Sequence, residues 1–166
     1  MALPLPGRVL ASSAEFSPTR PSQLYVSDAH NGTGLGTVSA YRDALSGHLT
    51  SIGSSPFADG QTAPCWVEIS HDGAYLFTVN TGSGTVSSYA IKRDGSLVLI
   101  GSFAIKGGGA SIDARLSPDG KYLLVNGSGP HFVSVFAVNG GNLTEVPSSP
   151  TPLPAGATSS SGIVNT

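Results

Sequence analysis

The chain has 166 residues, of which 39% are hydrophobic and only 11% charged, and its formal net charge is −2. An ordinary soluble domain is about 25% charged, but the apolar share is that of a folded protein, which excludes a disordered chain. The eight lysine and arginine residues are scattered, which excludes a basic nucleic-acid-binding surface, and no apolar stretch is long enough to span a membrane. The single cysteine excludes an internal disulfide.

Short runs rich in valine, isoleucine, tyrosine and phenylalanine alternate with turn residues along the chain, and they predict β-strands. The turns carry glycine after aspartate, as in Asp72-Gly73, Asp94-Gly95 and Asp119-Gly120, and these residues tolerate the backbone of tight hairpins. The scarcity of glutamate and lysine, three residues each, disfavours long helices. The predicted strands cover residues 8–16, 23–28, 37–42, 48–53, 65–70, 75–80, 85–91, 97–103, 111–117, 121–126, 132–138, 143–147 and 161–165.

Three passages of the chain repeat the same order of strands and turns. Ser17, Ser70 and Ser117 occupy corresponding positions, 53 and 47 residues apart, and similar strand sequences follow each of them. Four strands per unit at a period of about 40 to 50 residues is typical of β-propeller blades. We therefore predict an all-β chain in which residues 1–166 form one partial β-propeller domain. Its four-stranded antiparallel blades are predicted at about 8–53, 65–103 and 111–147.

Three blades and one further inner strand, 161–165, do not close a propeller, because propellers have about four to eight blades. An open arc exposes a blade flank at each end, and exposed flanks favour aggregation. We therefore expect the missing blades to come from a larger propeller of which this chain is a fragment, or from a second copy of the chain.

The passage YLFTVNTGSGTVSSYAI (75–91), with DGSLVLIG (94–101) and SPDGKYLLVN (117–126), resembles the lactonase-type β-propeller family. This family includes 6-phosphogluconolactonase and carboxymuconate-cyclase relatives, and YVTN-type surface propellers share its strand pattern. The resemblance covers about residues 9–166 and implies a WD40-like propeller of seven blades, of which this chain would be the C-terminal half. The ending GIVNT (162–166) is similar to the family's final strand, which completes the first blade.

The resemblance also implies a hydrolase that acts on a small lactone or sugar-acid ester, with catalytic arginine, histidine and glutamate around a central funnel. At the corresponding strand ends this sequence has Asp28 as the acidic residue and no arginine–histidine pair. The isolated chain is therefore expected to be inactive. The alternative is a non-catalytic propeller module that binds a protein or carbohydrate partner.

We expect no cofactor and no metal, because the sequence has no phosphate-binding loop, no dinucleotide-binding spacing and no metal-ligating helix motif. The expected partners are a small lactone or sugar acid and the missing part of the propeller, with neither nucleic acid nor a membrane. The first fifteen residues lack the order of a signal peptide, so the default expectation is a cytoplasmic chain, although a longer parent could be secreted.

The loop DAHNGTGLG (28–36) is the one elaborated connection. Val26 to Val38 is twelve residues, against seven from Val79 to Val86, and elaborated loops on rigid scaffolds tend to carry function. Asp28 and His30 are candidates for a general base and its orienting or acidic partner, and Asn31 is a candidate substrate-binding residue. The alternative is that Asp28 and Asn31 only cap a glycine-rich turn.

Further substrate-binding candidates lie at strand ends on the same face. Trp66 is a candidate to line a ligand site or to pack between blades, and its neighbour Cys65 is a candidate nucleophile or a buried inert thiol. Asn80 ends the second strand of its blade. Asp113 and Arg115 share one face of an inner strand, as a substrate clamp or as a local ion pair.

Overall fold

The structure, a computed structural model, describes residues 10–156 apart from residues 31, 45, 128 and 130. This part of the chain consists of strands joined by turns and loops and contains no helix. The predicted strand 161–165 lies outside the described residues. The strands are β1 (Leu10–Phe16), β2 (Gln23–Ala29), β3 (Thr37–Asp43), β4 (Leu49–Ser51), β5 (Phe57–Ala58), β6 (Pro64–Ile69), β7 (Tyr75–Asn80), β8 (Thr85–Ile91), β9 (Leu97–Ala104), β10 (Ser111–Leu116), β11 (Tyr122–Gly127), β12 (Phe132–Asn139), β13 (Asn142–Glu145) and β14 (Thr151–Pro152).

The strands form three antiparallel sheets, which are blades of an incomplete propeller. Blade one has the order β1-β2-β3-β4, blade two β6-β7-β8-β9 and blade three β10-β11-β12-β13. The twelve strands of these orders lie within two residues of their predicted bounds. The all-β fold expected from the repeat is thus confirmed.

The outer strands of blades one and three are split, which the sequence analysis did not predict. After β4 and β13 the chain leaves the sheet and returns as the short strands β5 and β14, which pair with the far ends of β3 and β12. Each interruption contains a serine-proline pair, Ser55-Pro56 and Ser149-Pro150, and proline cannot donate to a strand ladder. The serine hydroxyls accept the N–H groups of Ala40 (2.8 Å) and Val135 (2.9 Å), which keeps these backbone donors bonded.

The hydrophobic core lies in the two junctions between blades. One cluster joins blades one and two and includes Tyr25, Leu76 and Tyr89. A second cluster joins blades two and three and includes Phe77 and Leu123. Because successive side chains of a strand point to opposite faces, each blade places one apolar set against the preceding blade and the other against the following blade. The inner strands β1, β6 and β10 then stand side by side around the propeller axis.

Candidate functional site

The loops between second and third strands lie on one face of the arc, together with the crossings from one blade to the next. We call this the funnel face. The crossing 59–63 fastens blade one to blade two: Gly34 N donates to Thr62 Oγ1 (3.0 Å), and Thr62 N donates to Ser83 Oγ (2.8 Å). Gly36 N also donates to the carbonyl oxygen of Gln61 over 2.8 Å. The elaborated loop is therefore bonded to the crossing behind it, which gives the funnel face a fixed shape.

A hydrogen-bond series at the end of β2 joins Asp28 to His30 through Thr37. The hydroxyl of Thr37 donates to Asp28 Oδ2 over 3.2 Å, and His30 Nε2 lies 3.0 Å from the same hydroxyl oxygen. Ser39 donates a shorter bond, 2.6 Å, to Asp28 Oδ2. Because the single hydroxyl proton of Thr37 is given to Asp28, His30 donates from Nε2, and the lone pair of its Nδ1 is left to accept a proton. Asp28 is only 8% exposed.

Blade two repeats this hydrogen-bond pattern without a histidine. Asn80 occupies the register position of Asp28. Its Nδ2 donates to Thr85 Oγ1 (3.1 Å) and to Ser87 Oγ (2.8 Å), and Ser87 donates in turn to Asp59 Oδ2 (3.0 Å). Burial raises the pKa of Asp59. Asn80 is itself fully buried, so its side chain does not contact solvent. Its hydrogen bonds hold β7, β8 and the crossing together.

Blade three lacks the hydrogen-bond pattern that blades one and two share. Gly127 ends β11 at the corresponding register position, and Phe132 stands opposite it on β12. A Cβ atom on Gly127 would lie 2.5 Å from the Phe132 ring, so the aromatic side chain fills the space that polar groups take in the other blades. The hydroxyl of Ser134 is buried there with no hydrogen-bond partner among the described residues.

Each inner strand has a β-bulge close to its funnel end, and bulges often re-aim side chains beside functional sites. Cys65 is the bulged residue of β6 and is half-buried. The indole of Trp66 packs against the core between blades two and three, and its Nε1 has no hydrogen-bond partner within the described part of the chain. Asp113 takes the register position of Trp66 in blade three and is buried.

A row of charged side chains crosses the inner strands. Glu15, Glu68 and Arg115 occupy one register position in the three blades. Glu68 Oε1 accepts the N–H of Leu116 (2.9 Å), and Glu68 Oε2 lies 3.2 Å from Arg115 Nη1. Glu15 accepts the N–H of Ile69 in the same manner, and burial, followed by the charge of Glu68, raises the pKa of Glu15 to about 8. Burial also raises the pKa of Glu68.

The structure thus brings some predicted residues together and separates others. Asp28 and His30 belong to one hydrogen-bonded series, whereas Arg115 forms its ion pair with Glu68 of the neighbouring blade, a partner that sequence reasoning did not name. Asn31 lies outside the described residues.

Sequence reasoning also missed Thr37 and the row of charged side chains on the inner strands. The available signals were the TVS sequences at 37–39 and 85–87 and a charged residue two positions before each turn serine.

A cleft of about 270 Å³ lies on the opposite face, between the turns of blades two and three, and Tyr75, Asp72 and Asp119 are among its lining residues. Asp72 accepts the hydroxyl of Ser70 (2.6 Å) and Asp119 that of Ser117 (2.7 Å), so both carboxylates stabilise their own turns. Within the described ranges no three metal-ligating side chains cluster, and no helix there could cross a membrane.

A family model described as "Lactonase, 7-bladed beta-propeller" matches residues 16–157, whereas no curated protein matches the chain in sequence. Among solved structures, the chain is similar to a Bacteroides uniformis protein assigned as a 6-phosphogluconolactonase, with 22% identity and a TM-score of 0.67 over 84% of this chain and 40% of that one. The periplasmic gluconolactonase of Pseudomonas aeruginosa gives 21% identity and a TM-score of 0.67, over 88% of this chain and 43% of that one.

The chain is also similar to hydrazine synthase of Kuenenia stuttgartiensis, with 24% identity and a TM-score of 0.62 over 87% of this chain and 36% of that one. The chain therefore spans less than half the length of each of these three structures. Because their names differ while their fold is shared, these likenesses show the propeller fold alone.

Proposed function

Because the chain belongs to the seven-bladed lactonase β-propeller family, we propose that the protein hydrolyses a small lactone or a sugar-acid ester on its funnel face. The observation that carries the proposal is the hydrogen-bond series from Asp28 through Thr37 to His30, beside the elaborated loop of that face. A carboxylate that orients a histidine from one side prepares the other ring nitrogen to act as a general base. In this proposal His30 is the base and Asp28 is the orienting group.

Lactone hydrolysis needs a base that activates water and hydrogen-bond donors for the carbonyl oxygen. His30 Nδ1 takes a proton from water while the water oxygen attacks the carbonyl carbon. The ester C–O bond then breaks, and the leaving oxygen takes a proton to give the hydroxy acid. Thr37 and Asp28 keep the imidazole in its Nε2-protonated form and stabilise the positive charge that it gains.

Arg115 stays a proposal for binding the acid group of the substrate, and it lies one residue from the end of β10 that points away from the funnel face. Its side chain is 38% exposed on the inner strand β10, and a guanidinium binds carboxylate or phosphate through charge-assisted hydrogen bonds. Asn31 and Cys65 stay proposals for substrate contact. Asn31 belongs in sequence to the elaborated loop, and Cys65 is the bulged residue near the funnel end of β6. Substrate contact by Trp66, Asn80 and Asp113 stays a prediction. The indole of Trp66 packs against the core, and Asn80 and Asp113 are buried, which favours a structural role for all three.

A binding module without catalysis is the second candidate, and one observation favours it. The bonds that Ser39 and Thr37 make to Asp28 recur in blade two around Asn80, which has no ionisable group. A pattern that recurs in two blades suits a structural role for the aspartate. The neutral hydroxyl and amide groups of the funnel face then suit a carbohydrate or a protein partner.

The two candidates are separated by hydrolysis assays on the complete propeller that contains these blades, because the 166-residue chain by itself is expected to be inactive. Acid release from glucono-δ-lactone and from 6-phosphogluconolactone is followed in a pH-stat for wild type, His30→Ala and Asp28→Asn. His48→Ala is the matched control, because His48 is an exposed histidine on the opposite face. We expect His30→Ala to lower kcat by about 10² to 10⁴-fold and His48→Ala to leave it unchanged.

Equal turnover by wild type and His30→Ala contradicts the role of His30. Binding of gluconate without turnover of either lactone contradicts the hydrolase and supports the binding module. Circular dichroism on each variant separates lost chemistry from lost folding.

A further inference from the structure

The crossing 59–63 has a carboxyl group at a position where the crossing after blade two has an aliphatic side chain. Asp59 N donates to the carbonyl oxygen of Gly36 over 3.3 Å. Ile105 N makes the corresponding bond to Gly84, over 2.9 Å. Both side chains are buried. Burying a carboxyl group is costly, whereas burying isoleucine is favourable, so packing alone does not account for the aspartate.

Both oxygens of the Asp59 carboxyl group accept hydrogen bonds. Oδ1 accepts the N–H of Gln61 (2.8 Å), which closes the turn of the crossing. Oδ2 accepts the hydroxyl of Ser87 on β8 (3.0 Å). Because this uses the single hydroxyl proton of Ser87, the 2.8 Å bond between Ser87 and Ser102 is donated by Ser102. The side chain of Asp59 therefore fastens the crossing to blade two.

The backbone of the same segment is bonded to blade one. Gln61 O accepts the N–H of Gly36 over 2.8 Å, and Asp59 N donates to Gly36 O. Ala58, immediately before Asp59, pairs with Thr37 in the ladder of β5 with β3. A Cβ atom on Gly36 would lie 2.8 Å from Gln61 O and 3.0 Å from Asp59 Oδ1. The crossing thus holds the residue before Thr37 closely, through both its N–H and its C=O.

Thr37 is the residue that connects the candidate base to its orienting group. It is the first residue of β3, and its pair with Asp28 is the last one in the ladder of β2 with β3. The elaborated loop begins beyond this pair, and element ends open more easily than element centres. β5 supports Thr37 from the other edge of β3. The position of Thr37 therefore depends on the crossing as well as on β2.

We propose that Asp59 is a positioning residue for the site on the funnel face. Its carboxyl group fixes the crossing 59–63 between the two blades. The crossing in turn fixes Thr37 between Asp28 and His30, so Asp59 acts through Thr37. The proposal rests on the function proposed above for His30, but the placement of Thr37 is measurable without turnover.

Kinetics of Asp59→Ala and Asp59→Asn in the complete propeller, with the lactone assays given above, test the proposal. Asp59→Ala removes both acceptors. We expect kcat to fall by about 10- to 100-fold and KM to change by less than about threefold, because a displaced base slows the reaction without weakening substrate binding. Asp59→Asn retains an oxygen for Gln61 N, and its amide can donate to Ser87, which then donates to Ser102. This conservative variant should keep at least about a third of wild-type turnover.

Asp72→Ala is the matched control. Asp72 makes the same two kinds of bond on the opposite face, to the hydroxyl of Ser70 (2.6 Å) and to the N–H of Ala74 two residues further on (3.0 Å). Its removal should leave kcat unchanged. An equal loss of turnover in Asp59→Ala and Asp72→Ala overturns the proposal, because it indicates general destabilisation.

The tautomer of the His30 imidazole is a second readout, measured by NMR on isotope-labelled histidine at about pH 9, where imidazole is neutral. His30→Ala identifies the signals. We expect one Nε2-protonated form in wild type and Asp59→Asn, and a mixture of tautomers in Asp59→Ala. Gly36→Ala should give the same mixture, because its Cβ displaces the crossing from the loop side.

The two readouts separate this proposal from the hydrolase itself. An imidazole signal that neither Asp59→Ala nor Gly36→Ala changes overturns the positioning role. A mixed signal in Asp59→Ala with full turnover supports the placement of Thr37 by Asp59 and contradicts His30 as the base. A wild type that hydrolyses neither lactone contradicts the hydrolase, and the imidazole signal then decides the role of Asp59 alone.

Discussion

Replacing Glu15 with glutamine should make the folded chain more stable at alkaline pH and leave it unchanged in acid. Glu15 stands beside Glu68, and burial together with that charge raises the pKa of Glu15 from 4.5 to about 8. Below pH 4.5 the carboxyl is protonated in both the folded and the unfolded state. Between pH 4.5 and 8 the unfolded chain loses this proton and the folded chain keeps it, so the free energy of unfolding falls as the pH rises.

The size of the effect follows from the two pKa values. At about 1.4 kcal/mol for each pH unit, a rise from 4.5 to about 8 corresponds to about 5 kcal/mol as a ceiling. Because Glu15 is only half-buried, solvent screening reduces this to about 2 kcal/mol. The neutral amide of Glu15→Gln removes the cost, and the variant should therefore exceed wild type by about 2 kcal/mol at pH 8.5.

Urea denaturation followed by circular dichroism at pH 4, 6, 7 and 8.5 measures this difference, at protein concentrations where the chain is monomeric. Glu68 is present in both proteins, so the difference between the two curves isolates Glu15. Parallel curves for wild type and Glu15→Gln across the whole pH range would refute the reasoning. An unchanged difference at pH 4 and pH 8.5 would show that the substitution acts through packing alone.

Three further predictions concern stability and are measured by urea denaturation at pH 7. Asn80→Ala should cost about 2 kcal/mol, because half-buried Thr85 and buried Ser87 each lose a hydrogen-bond donor; an unchanged midpoint would show that water replaces the amide. Gly127→Ala should cost about 1 to 3 kcal/mol, since its Cβ would lie 2.5 Å from the Phe132 ring; adding Phe132→Ala should reduce the penalty from the new methyl group. Ala63→Gly should stabilise the chain by up to about 1 kcal/mol, because Ala63 has a φ of 55°, and Ala58→Gly is the control that should not stabilise it.

The blades could be predicted because their signals are local. The strands 75–80 and 85–91 were predicted with the bounds that β7 and β8 have, since glycine turns flank both runs. The short strands β5 and β14 could not be predicted, because two residues carry no periodicity. The repeated serine-proline pair that precedes both was nevertheless visible in the sequence at Ser55-Pro56 and Ser149-Pro150.

The site could be predicted only where its residues are neighbours in the chain. Asp28 and His30 are two positions apart, and the loop length pointed to them. Thr37, which connects them, is on the next strand, and its role depends on the register of β2 with β3. The pairing of Glu68 with Arg115 depends on the packing of two blades, and no single-strand pattern contains that information.

His30 is proposed as the base in lactone hydrolysis by the complete propeller, and chemical rescue of His30→Ala tests that role. Removing the imidazole in His30→Ala leaves space beside Thr37, and free imidazole added to the assay can take the place of the lost base. Imidazole should restore a concentration-dependent part of the lost turnover in His30→Ala and have no such effect on His48→Ala. Full turnover by His30→Ala without imidazole, or a loss of turnover that imidazole does not restore, would show that His30 is not the base.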